Sequence, residues 1–175
     1  DLGAGGAPWA IAVLNECPDA TADINDIDGV IDVAIQKASE HEVDDRCTFL
    51  TGDFHTIDLE DNAYDLVFLG HVCRTEGADG ARDLIERAYA ALKPEGRVVL
   101  ADYFTDIERK FNPHAVIMGA TMMASTDKGF TFTHQEFSEW LTAAGFAGLR
   151  LIEPIGFQQS FVGTKPRTLL RYEDE

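Results

Sequence analysis

The sequence predicts an α/β fold built on a doubly wound, mostly parallel sheet. Three observations carry this. Short apolar runs alternate with stretches of helical spacing, the pattern of strand–helix–strand units. The runs at residues 64–69 and 98–101 are almost continuously apolar, as strands covered on both faces require. With 175 residues, 45% of them hydrophobic, the chain is long enough for one domain with a sizeable core.

The elements follow in order. Pro8, a favoured first-turn residue, opens a helix over residues 10–14. Residues 20–24 form a short strand. Ile27, Val30, Ile31, Ala34, Ile35 and Ala38 recur at helical spacing and predict one buried helix face. Strands follow at 47–50 and 64–69. Leu84, Ile85, Ala88, Tyr89, Ala91 and Leu92 share one side of a helix over 81–92. Lys93-Pro94-Glu95-Gly96 reads as a turn before the strand at 98–101, and a helix over 137–144 stops at Gly145. Two closing strands, near 149–152 and 160–163, are joined by a short loop at 154–158 and predict an antiparallel hairpin. Residues 103–133 break the alternation. They carry three Met and four Phe and are expected to form a cap over the site. At the other end, Asp1-Leu2-Gly3-Ala4-Gly5 reads as the last part of a strand feeding a glycine-rich turn. In a doubly wound sheet that strand is central, so the native protein is expected to extend upstream.

Charge narrows the function classes. The chain has 31 acidic and 14 Lys or Arg residues, a net charge of −17. Phosphate-backbone binding needs a basic surface, so nucleic acid is not expected as a partner. No run approaches the roughly 20 apolar residues of a membrane span, and no signal peptide is visible. The carboxylates are spread along the chain, which suits a salt-adapted protein whose self-repulsion is screened. The three cysteines are odd in number and form no CxxC pair, which argues against disulfides and zinc and for a reducing, cytoplasmic compartment.

Three candidate sites fall at successive strand ends. In the turn from Gly3 to Pro8, small residues let a ligand approach the backbone, and the following helix offers free N–H donors. Asp1 precedes Gly3 by two residues, and Pro8 stands where a dinucleotide fingerprint wants its third glycine. Both features favour a ligand with an ammonium group over a pyrophosphate. Asp26 lies 23 residues after Gly3, the interval at which an acid meets ribose hydroxyls. Asp26 and Asp28 also suit a helix N-cap, and Asp23 competes for the ribose. In Gly52-Asp53-Phe54, a carboxylate can accept from an exocyclic amine while the ring packs on a purine. The alternative is a turn residue beside a core Phe.

These motifs, with Tyr64-Asp65-Leu66-Val67, Ala91-Leu92-Lys93-Pro94-Glu95-Gly96-Arg97 and Ala144-Gly145-Phe146, resemble the class I S-adenosylmethionine-dependent methyltransferases. Met122-Met123, the run from Gly129 to Thr133 and Glu136-Phe137 bring the chain closest to small-molecule O-methyltransferases of the caffeate and hydroxyneurosporene type. The resemblance implies a Rossmann-like seven-strand sheet with an antiparallel last strand, its first strand truncated here. It implies a methyltransferase domain over residues 1–175 and an upstream helical domain that forms a homodimer. It also implies S-adenosylmethionine as cofactor: its methionine part at Asp1, Gly3 and Gly5, with Gly70 nearby, its ribose at Asp26 and its adenine at Asp53 and Phe54. The expected activity is methyl transfer to a hydroxyl or other nucleophile of a small apolar or aromatic metabolite. The alternatives are a cofactor-binding relative with altered chemistry and, less closely, an NAD-dependent oxidoreductase.

The chain departs from the family at the catalytic base. Where the family reads Ser-x-Val-Leu-His-Asp-Trp, this sequence reads Gly70-His71-Val72-Cys73-Arg74-Thr75-Glu76. Arg74 stays protonated and cannot take a proton. It could bind an anionic substrate, or pair with Glu76. His71 is the other catalytic candidate, with His114, His134, Cys73 and Asp102 behind it. Met118, Met122, Met123, Phe130 and Phe132 are expected to wall a pocket for a flat substrate or to fill the core under the cap.

Overall fold

The computed structural model describes residues 1–110, 112–155 and 158–167. The chain order is α1 (Pro8–Glu16), β1 (Ala22–Asp26), α2 (Ile31–Glu40), β2 (Cys47–Thr51), β3 (Tyr64–Gly70), α3 (Cys73–Ala91), β4 (Leu92–Asp102), α4 (Pro113–Ser125), α5 (His134–Ala143), β5 (Ala147–Ile155) and β6 (Gln158–Thr164).

The sheet is mixed. β1 pairs parallel with β2, and β3 with β4; β6 runs antiparallel between β4 and β5. Leu2 joins the two halves through parallel bridges to Asn25 in β1 and Leu69 in β3. The spatial order is therefore β2, β1, Leu2, β3, β4, β6, β5. Among the described residues there are six strands, not seven, because the central place is held by the bridges of Leu2 alone. Beside Leu2, Tyr64 donates to Asp23 at 2.7 Å across the space between β3 and β1.

Two cores position the site. Ala10, Ile11 and Leu14 of α1 and Ala34 and Ala38 of α2 pack around Ile24. The alanines carry only a methyl group, so the helices can approach the sheet closely. Leu84, Ile85 and Ala88 of α3, with Phe137 and Leu141 of α5, bury against Val67, Leu69, Val98 and Leu100. Truncating a fully buried leucine such as Leu84 costs about 2–5 kcal/mol.

Several element limits differ from the sequence reading. α2 starts at Ile31, which leaves Ile27 outside the helix, and Ile35 within it is exposed, off the buried stripe of Ile31, Ala34 and Ala38. α3 begins eight residues earlier than expected and is kinked at Gly77, whose φ of 71° and ψ of 179° are not helical. Leu92 leaves the helix and pairs with Tyr64. The expected turn at 93–96 survives as a bulge inside β4: these residues oppose Asp65 alone, with Glu95 at φ 70°. α5 begins at His134 because Thr133 and Glu136 close a reciprocal capping box. Positions 156 and 157 of the expected closing loop, and the domain limit at 175, lie outside the described residues. No helix among the described residues is long and apolar enough to cross a membrane.

Candidate functional site

The carboxyl ends of β1, β2, β3 and β4 carry the candidate residues. Gly3 sits at φ 62°, and a Cβ there would lie 2.5 Å from Val72 Cγ1 and 3.2 Å from the Phe54 ring. Only glycine fits, and its bareness lets three segments distant in sequence meet. Gly5 N–H donates to Asp26 Oδ2 at 2.7 Å, and Ile27 N–H donates to Oδ1 at 2.8 Å. Asp26 thus ties the glycine turn to the end of β1. It does not cap α2, whose N-cap is Val30 without a side-chain bond. Asp23 stands at the opposite end of β1, bonded to Tyr64. Burial, then that bond, pushes the Tyr64 hydroxyl up to about 12.

Asp1 Oδ2 accepts the Ala10 N–H at 3.3 Å, while its Oδ1 is buried without a hydrogen-bond partner. A buried carboxylate oxygen with no donor fits an ammonium ligand.

Asn25 was not singled out by sequence reasoning, yet it builds the next part of the site. It is 1% exposed, and its Nδ2 donates to the carbonyls of Leu50 and Gly52 at 2.8 and 2.9 Å. This staples β1 to the end of β2 and presents Asp53. The signal available in sequence was a lone amide in a strand, next to Asp26. Asp53 is exposed and its Oδ1 accepts the His55 N–H at 2.8 Å. Phe54 is half-buried against the core. Arg87 of α3 grips this loop, donating from Nε to the Phe54 carbonyl at 3.1 Å and from Nη2 to that of Ile57.

Gly70 has a packing role in this structure. A Cβ there would lie 2.3 Å from Trp9 Nε1, and Trp9 stacks on Phe68 with centroids 5.9 Å apart. The missing side chain makes room for an indole.

His71, at φ 64°, donates its backbone N–H to the Ala101 carbonyl at 2.8 Å. Its Nε2 lies 2.8 Å from Gln158 Oε1, and its Nδ1 lies 3.6 Å from Asp102 Oδ1. Arg74 Nη1 donates to the same Asp102 Oδ1 at 3.1 Å, and the Arg74 backbone N–H reaches Oδ2 at 3.3 Å. Asp102 is 1% exposed. Arg74 is therefore not the partner of Glu76. Residues two apart on a helix point to different sides, and the end of β4 supplies a nearer, buried carboxylate.

The remaining candidates sort by burial. Cys73 is fully buried, and burial raises its thiol well above the usual range, which makes it an inert core residue. His134 Nδ1 lies 3.1 Å from the Thr105 carbonyl and anchors the start of α5. His114 is exposed in the first turn of α4. Met118 and Met122 are half-buried on one side of α4, whereas Met123 is 67% exposed. Phe132 is buried with Phe137 and Trp140 at centroid distances of 5.7 and 4.9 Å, so it packs the core under the cap. Among the described residues, no group of three or more His, Cys, Asp or Glu is arranged to hold a metal.

A family model for the O-methyltransferase domain matches residues 1–147. The chain is 31% identical over 126 residues to the tetracenomycin polyketide synthesis 8-O-methyl transferase TcmO of Streptomyces glaucescens, covering 72% of this chain and 37% of that protein. It is 30% identical to the acetylserotonin O-methyltransferase of Gallus gallus, over 83% of this chain and 41% of that one. A Nostoc punctiforme crystal structure assigned to the O-methyltransferases superposes with a TM-score of 0.89 at 28% identity, over 94% of this chain and 51% of the other. Human N-acetylserotonin methyltransferase in complex with SAM shares the fold at a TM-score of 0.82 and 23% identity, over 95% and 47%. The chain spans less than half the length of these curated relatives.

Proposed function

Because this chain belongs to the O-methyltransferase domain family, we propose that it binds S-adenosylmethionine and serves methyl transfer to a hydroxyl of a small apolar or aromatic molecule. The observation that carries the reading is the meeting of the Gly3 turn, Asp26 and the Gly52–Phe54 loop at one sheet edge, beside the unpartnered Asp1 Oδ1. The names of the relatives support it: two are O-methyltransferases, and the human structure holds SAM.

The residues present fit this cofactor. Asp1 Oδ1 offers an acceptor to the ammonium. Asp26 has one backbone donor on each oxygen, and a carboxylate has about four lone-pair sites, so capacity remains for ribose hydroxyls. Asp53 and Phe54 would take the adenine amine and ring. When bound, the sulfonium supplies an activated methyl group for in-line displacement. The protein then contributes orientation and, for a neutral hydroxyl, removal of a proton. Arg74 is held by Asp102, so it neither takes that proton nor reaches freely for an anion. His71 is the candidate base, beside Asp102 and Gln158 at the ends of β4 and β6. Met118 and Met122 offer the apolar wall for the acceptor.

The reading includes a seven-strand sheet in the whole protein, dimerisation through an upstream helical domain, and a salt-adapted cytoplasmic setting. Arginine at position 74 favours a second reading, cofactor binding without transfer to neutral hydroxyls.

Calorimetric titration of the full-length protein tests the proposal. Binding of S-adenosylhomocysteine with no binding of NADH supports it; the reverse overturns it. A mass-shift screen of phenols and polyketides with labelled methyl donor then separates the two readings.

A further inference from the structure

The loop after β2 is seated on α3 by a histidine held between two carboxylates. His55 Nδ1 lies 2.7 Å from Asp83 Oδ2, and His55 Nε2 lies 3.0 Å from Glu76 Oε2. Glu76 and Asp83 are seven residues apart in α3, on either side of the break at Gly77, and that break, not a regular helical repeat, brings both carboxylates to one ring. Gly80 lies between them, and a Cβ there would already be 3.5 Å from the imidazole carbon Cε1. The helix thus presents an acid, a gap and an acid, spaced for one ring.

A neutral imidazole has one N–H and one lone pair, so it can satisfy only one of these carboxylates. The other would set a lone pair against a carboxylate oxygen. An imidazolium donates to both. The remaining charged groups around it do not supply a substitute donor. Asp53 of the same loop accepts the His55 backbone N–H, and Arg87 of α3 is engaged with the carbonyls of Phe54 and Ile57. Burial pulls the His55 pKa down, but the hydrogen bonds and charges of Asp83 and Glu76 together outweigh it and raise it.

We propose that His55 is a positioning residue for nucleoside binding: as an imidazolium between Glu76 and Asp83, it holds Asp53 and Phe54 in their recognition geometry, and cofactor affinity falls when the ring loses its proton. This rests on the cofactor reading above. The clamp reaches further than its own loop. Glu76 lies in the first turn of α3, ahead of the kink at Gly77 and two residues from Arg74, so the loop is tied to the segment that carries the candidate catalytic residues. A raised folded-state pKa means that the clamp is fully formed below the usual histidine value and is lost as pH rises through the folded value.

The test is calorimetric titration of the full-length protein with S-adenosylhomocysteine across about pH 5.5–8.5, the range in which histidine changes charge. The wild type is expected to lose affinity about three- to tenfold as pH rises, a range set by the partial exposure of the clamp. His55→Ala is expected to bind at pH 6 as the wild type does at high pH, and the pair Glu76→Gln with Asp83→Asn, whose carboxamides both donate and accept and so can hold a neutral ring, is expected to show a flatter profile. The carboxamide pair keeps the side-chain shapes, which guards against misfolding, and circular dichroism checks each variant. NMR titration of the His55 ring is a ligand-free readout: its pKa should fall in the carboxamide pair. Wild-type affinity at pH 6 in His55→Ala, or a flat wild-type profile, overturns the proposal while leaving the cofactor reading intact. Failure to bind S-adenosylhomocysteine at every pH overturns both.

Discussion

Arg74→Ala should act mainly on stability. Asp102 is 1% exposed and receives three donors: Arg74 Nη1 at 3.1 Å, the Arg74 backbone N–H at 3.3 Å and the Tyr103 backbone N–H at 2.8 Å. The substitution removes the only one of these three that carries charge. Breaking a buried pair by removing one partner costs about 3–5 kcal/mol. Two effects reduce this. The Arg74 side chain is 18% exposed, so water reaches part of the site, and both backbone donors stay. The expected loss is therefore about 2–3 kcal/mol, below the full buried-pair penalty. Urea denaturation at constant m measures it. Asp102→Asn alone should cost less, and the double variant should be less destabilised than the two single losses added, because the pair couples directly. Affinity for S-adenosylhomocysteine should be unchanged in Arg74→Ala. An unchanged midpoint with strongly weakened acceptor binding would refute the reasoning, and would show an arginine free to hold an anionic substrate.

Three further outcomes are expected. Asp26→Ala should weaken S-adenosylhomocysteine binding by about 1–3 kcal/mol, the range for charge-assisted bonds, while Asp23→Ala should leave binding nearly unchanged; calorimetry compares them, and equal small losses would remove the ribose role. Gly3→Ala should destabilise by about 1–3 kcal/mol, because a Cβ at φ 62° is strained and Val72 Cγ1 would lie 2.5 Å away; thermal melting reads it, and an unchanged melting temperature would contradict the tight meeting of the Gly3, Phe54 and Val72 segments. Melting temperature should rise from low to molar KCl as the net charge of −17 is screened; a salt-independent value would remove the halophilic reading.

The fold was legible where burial leaves a local mark. β3 reads as a strand because nearly every residue from 64 to 69 is apolar, and α5 reads as a helix up to Gly145. Limits set by backbone geometry were harder. Nothing in the spacing of Leu84 to Leu92 says that Leu92 turns into β4, because a buried leucine satisfies either element. The glycine turn, Asp26 and Gly52-Asp53-Phe54 were legible as candidates since each follows a strand end, and the structure brings them together. Contacts between distant segments were not legible. Arg74 and Asp102 are 28 residues apart, and the sequence offers Glu76 as the nearer acid. Trp9 against Gly70 is the same kind of miss: the glycine marks a close approach, but its occupant comes from another element.

The charge imbalance and the use of the basic residues belong to one argument. Arg46 Nη1 reaches the carbonyls of Leu14, Cys17, Pro18 and Ala20, all at or beyond the end of α1. Lys165 Nζ does the same at the end of α3, with the carbonyls of Tyr89, Ala90 and Leu92. Arg87 grips two loop carbonyls, and Arg109 takes that of Thr131. Helix C-termini carry partial negative charge and carbonyls without intrahelical partners, so a cation there is favourably placed. Other cations pair with carboxylates, among them Lys37 with Glu40, Lys93 with Asp65 and Arg167 with Glu95. The carbonyl clamps hold the fold together locally, and the net charge of −17 leaves long-range repulsion to be moderated by dissolved ions. The same economy shows at the site. His55 faces the half-buried Glu76 and the exposed Asp83 of α3, and Arg74 faces the buried Asp102 of β4, so both of these basic side chains are already engaged with carboxylates. Under the proposed cofactor reading an ammonium group would meet the unpartnered Asp1 Oδ1 there, whereas a pyrophosphate would meet the carboxylates of Asp1, Asp26 and Asp53.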